Sequence, residues 1–308
     1  MASVIVLGAK GRFGRNAVTA FEAAGWDVTA MARAWPGGAS HRRQVCLDVA
    51  DQDALTQACK GHDVIVNAVH PPYHHWTREV PRITSSVIAA ARASGATVMI
   101  PGNVYNYGSK LPEVLREDTP WVGNTKKGSI RIRMENAFRD SGVRTIVLRS
   151  GDFFEGQKTG NWLEDHIAAQ APAGKMRYPG PHDLPHAWAY LPDIGRTLVG
   201  LAEQRQTFDC FEEFGFGGYT LTGEQLRQLV AQAVGREVRL LPFPWMGLRL
   251  MAVGSPLMRE VLEMRYLWDR AHSVDGAKLR EALPGFVPTP PEEAFRAAMG
   301  PHPTLQAA

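Results

Sequence analysis

The 308-residue sequence is poor in several features that would define a function class. Cysteine occurs three times, as Cys46, Cys59 and Cys210, an odd count with no paired metal spacing. That excludes a disulfide scaffold and a zinc ribbon, and it predicts reduced thiols in a cytoplasmic protein with no bound metal. Long apolar runs are also missing. The most apolar stretch, 240–258, is broken by Pro242, Pro244, Pro256 and Arg249, so no membrane role is expected. The run at 3–7 is too short for a secretory leader and leads straight into Gly8. Charge of one sign is not in excess either. The 34 basic and 31 acidic residues leave a formal net charge of +3, too balanced for a nucleic-acid surface. No short repeat runs through the chain, which excludes collagen-like and coiled-coil architectures. What remains, with 44% apolar and 21% charged residues, is an ordinary globular composition.

Short runs rich in Val and Ile stand at 4–7, 28–31, 64–68, 98–100 and 145–148, with a weaker one at 45–47. None alternates with polar residues, so each predicts a strand buried on both faces. Amphipathic stretches at 15–24, 51–59, 81–93 and 129–140 predict helices between them. Gly25, Gly61, Gly95 and Gly142 follow, where a left-handed helix-ending residue is expected. This alternation predicts an α/β, doubly wound parallel sheet over residues 1–150. A further strand–helix unit at 187–203 is expected to complete that sheet. Residues 151–186 and 204–308 would form a smaller mixed substrate-binding lobe. Within it, 223–234, 257–266 and 275–283 read as helical and 237–241 as a strand. The tail from Pro301 should fray.

The first strand ends in Gly8-Ala9-Lys10-Gly11-Arg12-Phe13-Gly14, and a helix follows at once. A dinucleotide pyrophosphate needs backbone N–H groups at a helix N-terminus with no side chains in the way. Gly8 suits the sharp turn, Gly11 the close approach of phosphate, and Gly14 the packing of helix on strand. With Asn67-Ala68-Val69 after the fourth strand, the Gly-x-x-Gly-x-x-Gly spacing resembles the atypical and extended short-chain dehydrogenase/reductases of the epimerase/dehydratase type. The resemblance covers roughly residues 1–200 and implies a Rossmann fold that binds NAD or NADP.

Between 28 and 38 there is no acidic residue for an adenosine ribose 2′-hydroxyl. Arg33, and Arg12 in the loop, would instead pair with a 2′-phosphate, which predicts NADP (NADPH). The competing reading makes both ordinary surface arginines. Asp48-Val49 resembles the family's adenine-contacting pair, although Asp48 would serve equally as the cap of the helix near Asp51.

The family's Ser-Tyr-Lys triad is absent. Aligning Tyr107-Gly108 with its Ser-x-x-Val-Tyr-Gly segment puts Asn103 at the serine position. Aligning Glu135 puts Lys127 at the tyrosine and Arg131 at the lysine. Lys-x-x-x-Arg-x-x-x-Glu is similar to the isoflavone-reductase-like (NmrA-like) branch, which implies Lys127 as acid/base. A plain solvated first-turn lysine is the alternative. Asn103 would orient a substrate carbonyl or close an Asx turn. Tyr105 is the reserve proton donor, and Tyr107 reads as structural.

The 70–76 segment, His-Pro-Pro-Tyr-His-His-Trp, follows strand four at the ligand-binding edge of the sheet. It is expected to wall the nicotinamide pocket rather than hold a metal. Asp152 is either a substrate-facing carboxylate or a helix cap. The resulting expectation is an NADP-dependent oxidoreductase or epimerase acting on a small carbonyl, enone or sugar-like substrate, with a homodimer left open. The alternative is an NADP-binding redox sensor that does not turn over its cofactor.

Overall fold

The computed structural model describes residues 1–35, 43–157 and 160–300. Positions 36–38 of the acid-free stretch and the tail expected to fray therefore lie outside the described residues. The first half runs β1 (Ser3–Leu7), α1 (Arg12–Ala23), β2 (Asp27–Ala32), β3 (Arg43–Cys46), α2 (Gln52–Cys59), β4 (Val64–Asn67), α3 (Trp76–Ser94), β5 (Thr97–Gly102), β6 (Val114–Leu115), α4 (Lys126–Asp140) and β7 (Thr145–Arg149). The second half continues with β8 (Asp152–Phe154), β9 (Lys175–Tyr178), β10 (His186–Tyr190), α5 (Leu191–Glu203), β11 (Phe211–Gly215), β12 (Tyr219–Leu221), α6 (Gly223–Val234), β13 (Arg239–Pro242), α7 (Trp245–Gly254), α8 (Pro256–Glu263), β14 (Ser273–Val274), α9 (Ala277–Ala282) and α10 (Pro291–Met299).

Seven strands form one sheet in the order β11-β7-β5-β4-β1-β2-β3, every pair parallel. This is the doubly wound arrangement expected from the Val/Ile runs. The reason for the missing alternation is visible in β1. Val4 and Val6 enter one core with Phe13, Phe21, Ile194 and Leu198, while Ile5 and Leu7 enter the other with Leu55, Val87, Ile130 and Phe138. Both faces are apolar because helices cover both, and each such side chain contributes about 1.5–3 kcal/mol relative to exposure. Gly25, Gly61, Gly95 and Gly142 all have φ between +72° and +78°, as their positions after helices require.

The 187–203 expectation is corrected. α5 does pack on α1, but its strand, β10, joins β8 and β12 in a separate three-stranded sheet. The seventh strand of the main sheet is β11, Phe-Glu-Glu-Phe-Gly. Its two acids disguise it as surface. Glu213 is buried because Arg149 pairs with it at 2.5 Å, and Glu212 is paired by Lys278. α3 also begins a turn before Pro81, at Trp76; the proline lacks the N–H for one helical bond. Smaller mixed sheets, α6 and α10 build the second lobe around Phe154, Trp188, Leu226 and Phe295. Among the described residues no helix is long and apolar enough to cross a membrane.

Candidate functional site

β1 delivers the chain to Gly8, whose φ is +76° and whose N–H donates to the Met31 carbonyl at 3.0 Å. A Cβ there would stand 2.9 Å from the Ala68 oxygen, so the loop rests directly on the end of β4. A Cβ on Gly14 would run into the Gly8 carbonyl, which is the tight helix-on-strand contact assigned to the third glycine. Gly11 is the N-cap of α1, and the outward side of its Cα is open apart from the Gly8 oxygen at 3.2 Å. No side chain caps α1, and no acid lies in its first turn. The first-turn N–H groups and the positive end of the helix dipole therefore face the crevice, the arrangement an anion needs.

Around this cradle the expected residues separate into several roles. The Phe13 side chain is buried against Phe153, leaving only its backbone near the loop. Arg12 donates to the Gly160 carbonyl at 2.9 Å and to Asn161 Oδ1, bridging the loop to the second lobe. Arg33 is exposed just past β2, and its guanidinium has no partner among the described residues. Asp48 accepts from the Ala50 N–H at 3.0 Å; the cap of α2 is Asp51, which accepts from Ala54. Val49 is buried in the core, and Asn67 Oδ1 accepts from the Val69 N–H at 3.4 Å.

The groups proposed for chemistry stand just after β5, where Asn103 and Tyr105 lie, and in the first turn of α4, which carries Lys127. Asn103 caps a short 3-10 turn, its Oδ1 accepting from the Tyr105 N–H at 3.0 Å, which is the Asx arrangement. The Tyr105 hydroxyl is 3.1 Å from that of Tyr73. Burial raises both phenols above their ordinary value, Tyr105 the more strongly. Lys127 is buried with its Nζ 2.6 Å from Glu260 and 2.5 Å from Glu263, both on α8, and 5.1 Å above the Tyr73 ring. Its neighbours are thus two carboxylates, so it is an ion-pair member rather than the solvated first-turn lysine of the alternative reading. Arg131 donates to the Pro101 carbonyl and to Glu135, while its buried Nε has no partner among the described residues. Tyr107 is buried, and its hydroxyl donates to the Arg116 carbonyl at 3.2 Å. His70 reaches solvent at the mouth of the cleft, yet the surrounding protein and then Arg12 and Arg131 lower its pKa to about 4.

The family described as NAD(P)H-binding matches residues 8–171, more than half of the chain. The chain belongs to that family. It is 26% identical over 226 residues to the 3-diazoavenalumate denitrifying reductase of a Streptomyces species, spanning 66% of this chain and 73% of the relative. A Burkholderia cenocepacia structure ascribed to an epimerase superposes with a TM-score of 0.77 at 19% identity, covering 97% of each chain. UDP-glucose 4-epimerase of Bifidobacterium longum, solved with NAD+ and UDP, superposes with a TM-score of 0.75 at 13% identity, again over 97% of each. These two show the shared fold. The protein is accordingly an NAD(P)H-binding family member that shares the fold of these epimerase structures.

In this NAD(P)H-binding protein one feature of the cleft escaped the sequence and another was read there only as a pair of alternatives. One is the pair of α8 carboxylates under Lys127. Glu260 and Glu263 are visible as one helix face, but nothing in their spacing says what that face meets. The other is Asp152. It opens β8 rather than capping a helix, and its Oδ2 lies 2.8 Å from His186 Nε2 on β10. Beneath the cleft, Glu135 joins Arg149 at 2.7 Å and Asn106 at 2.7 Å, while Arg149 also holds the Asn103 carbonyl at 2.5 Å. This buried network fixes the β5 turn that carries Asn103 and Tyr105.

Proposed function

We propose that the protein is an NADP(H)-dependent reductase of a small carbonyl, enone or sugar-like substrate. The observation that carries this reading is the uncapped α1 N-terminus together with an exposed Arg33 whose guanidinium has no partner among the described residues. The residues fit a dinucleotide: α1 would hold the pyrophosphate, Arg33 the 2′-phosphate, and the Asn67-Ala68 turn the central ribose side. When bound, the cofactor supplies a hydride. Tyr105 hands its proton to the substrate oxygen, and burial keeps the hydroxyl protonated until that transfer. Tyr73 bonds that hydroxyl, and Lys127 holds Tyr73 from below as a positioning residue. Asn103 retains its amide N–H groups for the substrate carbonyl. Fluorescence titration should give NADPH at least about tenfold tighter binding than NADH. Rapid mixing of the NADPH complex with a panel of carbonyl compounds should then oxidise the nucleotide in a single turnover.

A second reading, a redox sensor that binds NADP without turnover, is favoured by one observation. The positions of the family's tyrosine and lysine are held by Lys127 and Arg131, both engaged in ion pairs. Tight NADPH binding with no oxidation by any carbonyl compound would select it.

A further inference from the structure

Asp152 is a carboxylate with one oxygen engaged and the other without a partner among the described residues. Its Oδ2 receives His186 Nε2 at 2.8 Å. His186 is itself fixed: buried, stacked on Trp268 at 4.0 Å with an interplanar angle of 2°, and met edge-on by His272 at 4.5 Å. Oδ1 has no hydrogen-bond partner among the described residues, and the side chain keeps 24% of its surface exposed. No lysine or arginine pairs with it among those residues. Its charge reaches the two phenols at the cleft. Burial is the larger cause of the raised Tyr73 and Tyr105 values, and the charge of Asp152 adds to both. Arg12 and Arg131 border the same cleft but are engaged elsewhere, with the 160–161 segment and with Glu135. The rings of Tyr73, Trp76 and Tyr105 pack together, as do those of Tyr178 and Trp268, and the charge of Asp152 acts on Tyr73, Tyr105 and Tyr178.

A carboxylate oxygen among aromatic rings accepts hydrogen bonds and repels anions. We infer that Asp152 is the substrate-recognition group, selecting ring-bearing carbonyl compounds that present a hydroxyl or amino hydrogen and rejecting those with a carboxylate or phosphate in its place. The inference deepens the proposed reductase reading and rests on it for the location of the substrate. His186 and Trp268 act through Asp152 by holding Oδ2, so that Oδ1 points to the ligand side.

The test uses meta-hydroxybenzaldehyde and meta-carboxybenzaldehyde as probes, measured by calorimetry on the full chain with and without NADP. The parent protein should bind the hydroxyl probe at least about tenfold more tightly than the carboxylate probe, the usual scale of a charge-assisted hydrogen bond. Asp152→Asn keeps size and an acceptor but removes the charge, and it should collapse that ratio toward one by admitting the carboxylate. Asp152→Ser is the second variant should the first fail to fold, and unchanged NADPH affinity verifies either. An unchanged ratio in a folded variant, or no binding of either probe to the parent, overturns the inference. Discrimination that is present and lost in Asp152→Asn, without any NADPH oxidation, leaves the inference standing and removes the reductase reading.

Discussion

Lys127, in the first turn of α4, places its Nζ 2.5 Å from Oε2 of Glu263 on α8, with Glu260 completing the cluster at 2.6 Å. A basic residue at a helix N-terminus opposes the macrodipole, so its retention here needs these two carboxylates. Lys127→Met should leave Glu263 without an ammonium partner, while Glu260 keeps Lys126, and destabilise the fold by about 2 kcal/mol. Urea unfolding measures this. Adding Glu260→Gln and Glu263→Gln should recover part of the loss. A variant with unchanged stability and a lost turnover rate would instead make Lys127 the acid/base.

Tyr105→Phe deletes the hydroxyl bonded to Tyr73. Turnover of a reducible carbonyl should fall about 10²–10⁴-fold with NADPH affinity unchanged. Because burial raises the phenol, it stays protonated at neutral pH. The reduction rate of the parent should therefore be flat from about pH 6 to about pH 9 and decline only above the ordinary tyrosine range. A rate that falls with a midpoint near neutrality would assign the proton to another group.

Arg33→Asp replaces the expected 2′-phosphate partner with a repelling charge. NADPH affinity should drop at least about tenfold, and NADH affinity should hold or rise. Competitive titration of the two nucleotides decides the point; equal NADPH binding in parent and variant would move the phosphate away from Arg33.

The second and third glycines of the loop should fail differently. Gly11→Val puts a branched side chain on the open side of the cradle, so nucleotide binding should vanish while the melting temperature changes little. Gly14→Ala drives a methyl into the Gly8 carbonyl. That should separate α1 from β1 and lower stability by about 1–3 kcal/mol. Thermal melts with and without NADPH distinguish the two behaviours.

Glu164 is buried beside the Glu155 N–H, which its Oε1 accepts at 2.8 Å. Burial is the largest cause of its rise to about 7 from the ordinary 4.5. A raised folded-state value means that the neutral acid stabilises. The contribution is complete below about pH 4.5 and is lost as pH climbs through about 7. Glu164→Gln keeps the acceptor and removes the titration. It should flatten the stability profile across that window, by up to about 3 kcal/mol. Identical pH profiles for parent and variant would contradict the assignment.

Residues 1–150 were legible because local rules and the global fold agree there. Strands such as Val64–Asn67 are apolar on both faces, the helices between them are amphipathic, and glycines mark their ends. The glycine loop was equally legible, since its function is backbone geometry at a fixed place between a strand and a helix. β11 was not, because Glu212 and Glu213 are neutralised by Lys278 and Arg149, distant in sequence.

The sequence by itself determined the parallel sheet and the glycine turn after β1, both matters of short-range pattern, and its resemblance to the family implied that the catalytic side chains are replaced. Only the tertiary structure decided which charges surround the replacing residues. Lys127 meets Glu260 and Glu263 across more than 130 residues of chain, and Asp152 meets His186 across 34. The same lysine reads as a titrating base or a fixed ion-pair member according to which charges the fold brings to it. Periodicity carries no record of those charges, because a side chain's protonation and its partners depend on distance in space and on exclusion of water.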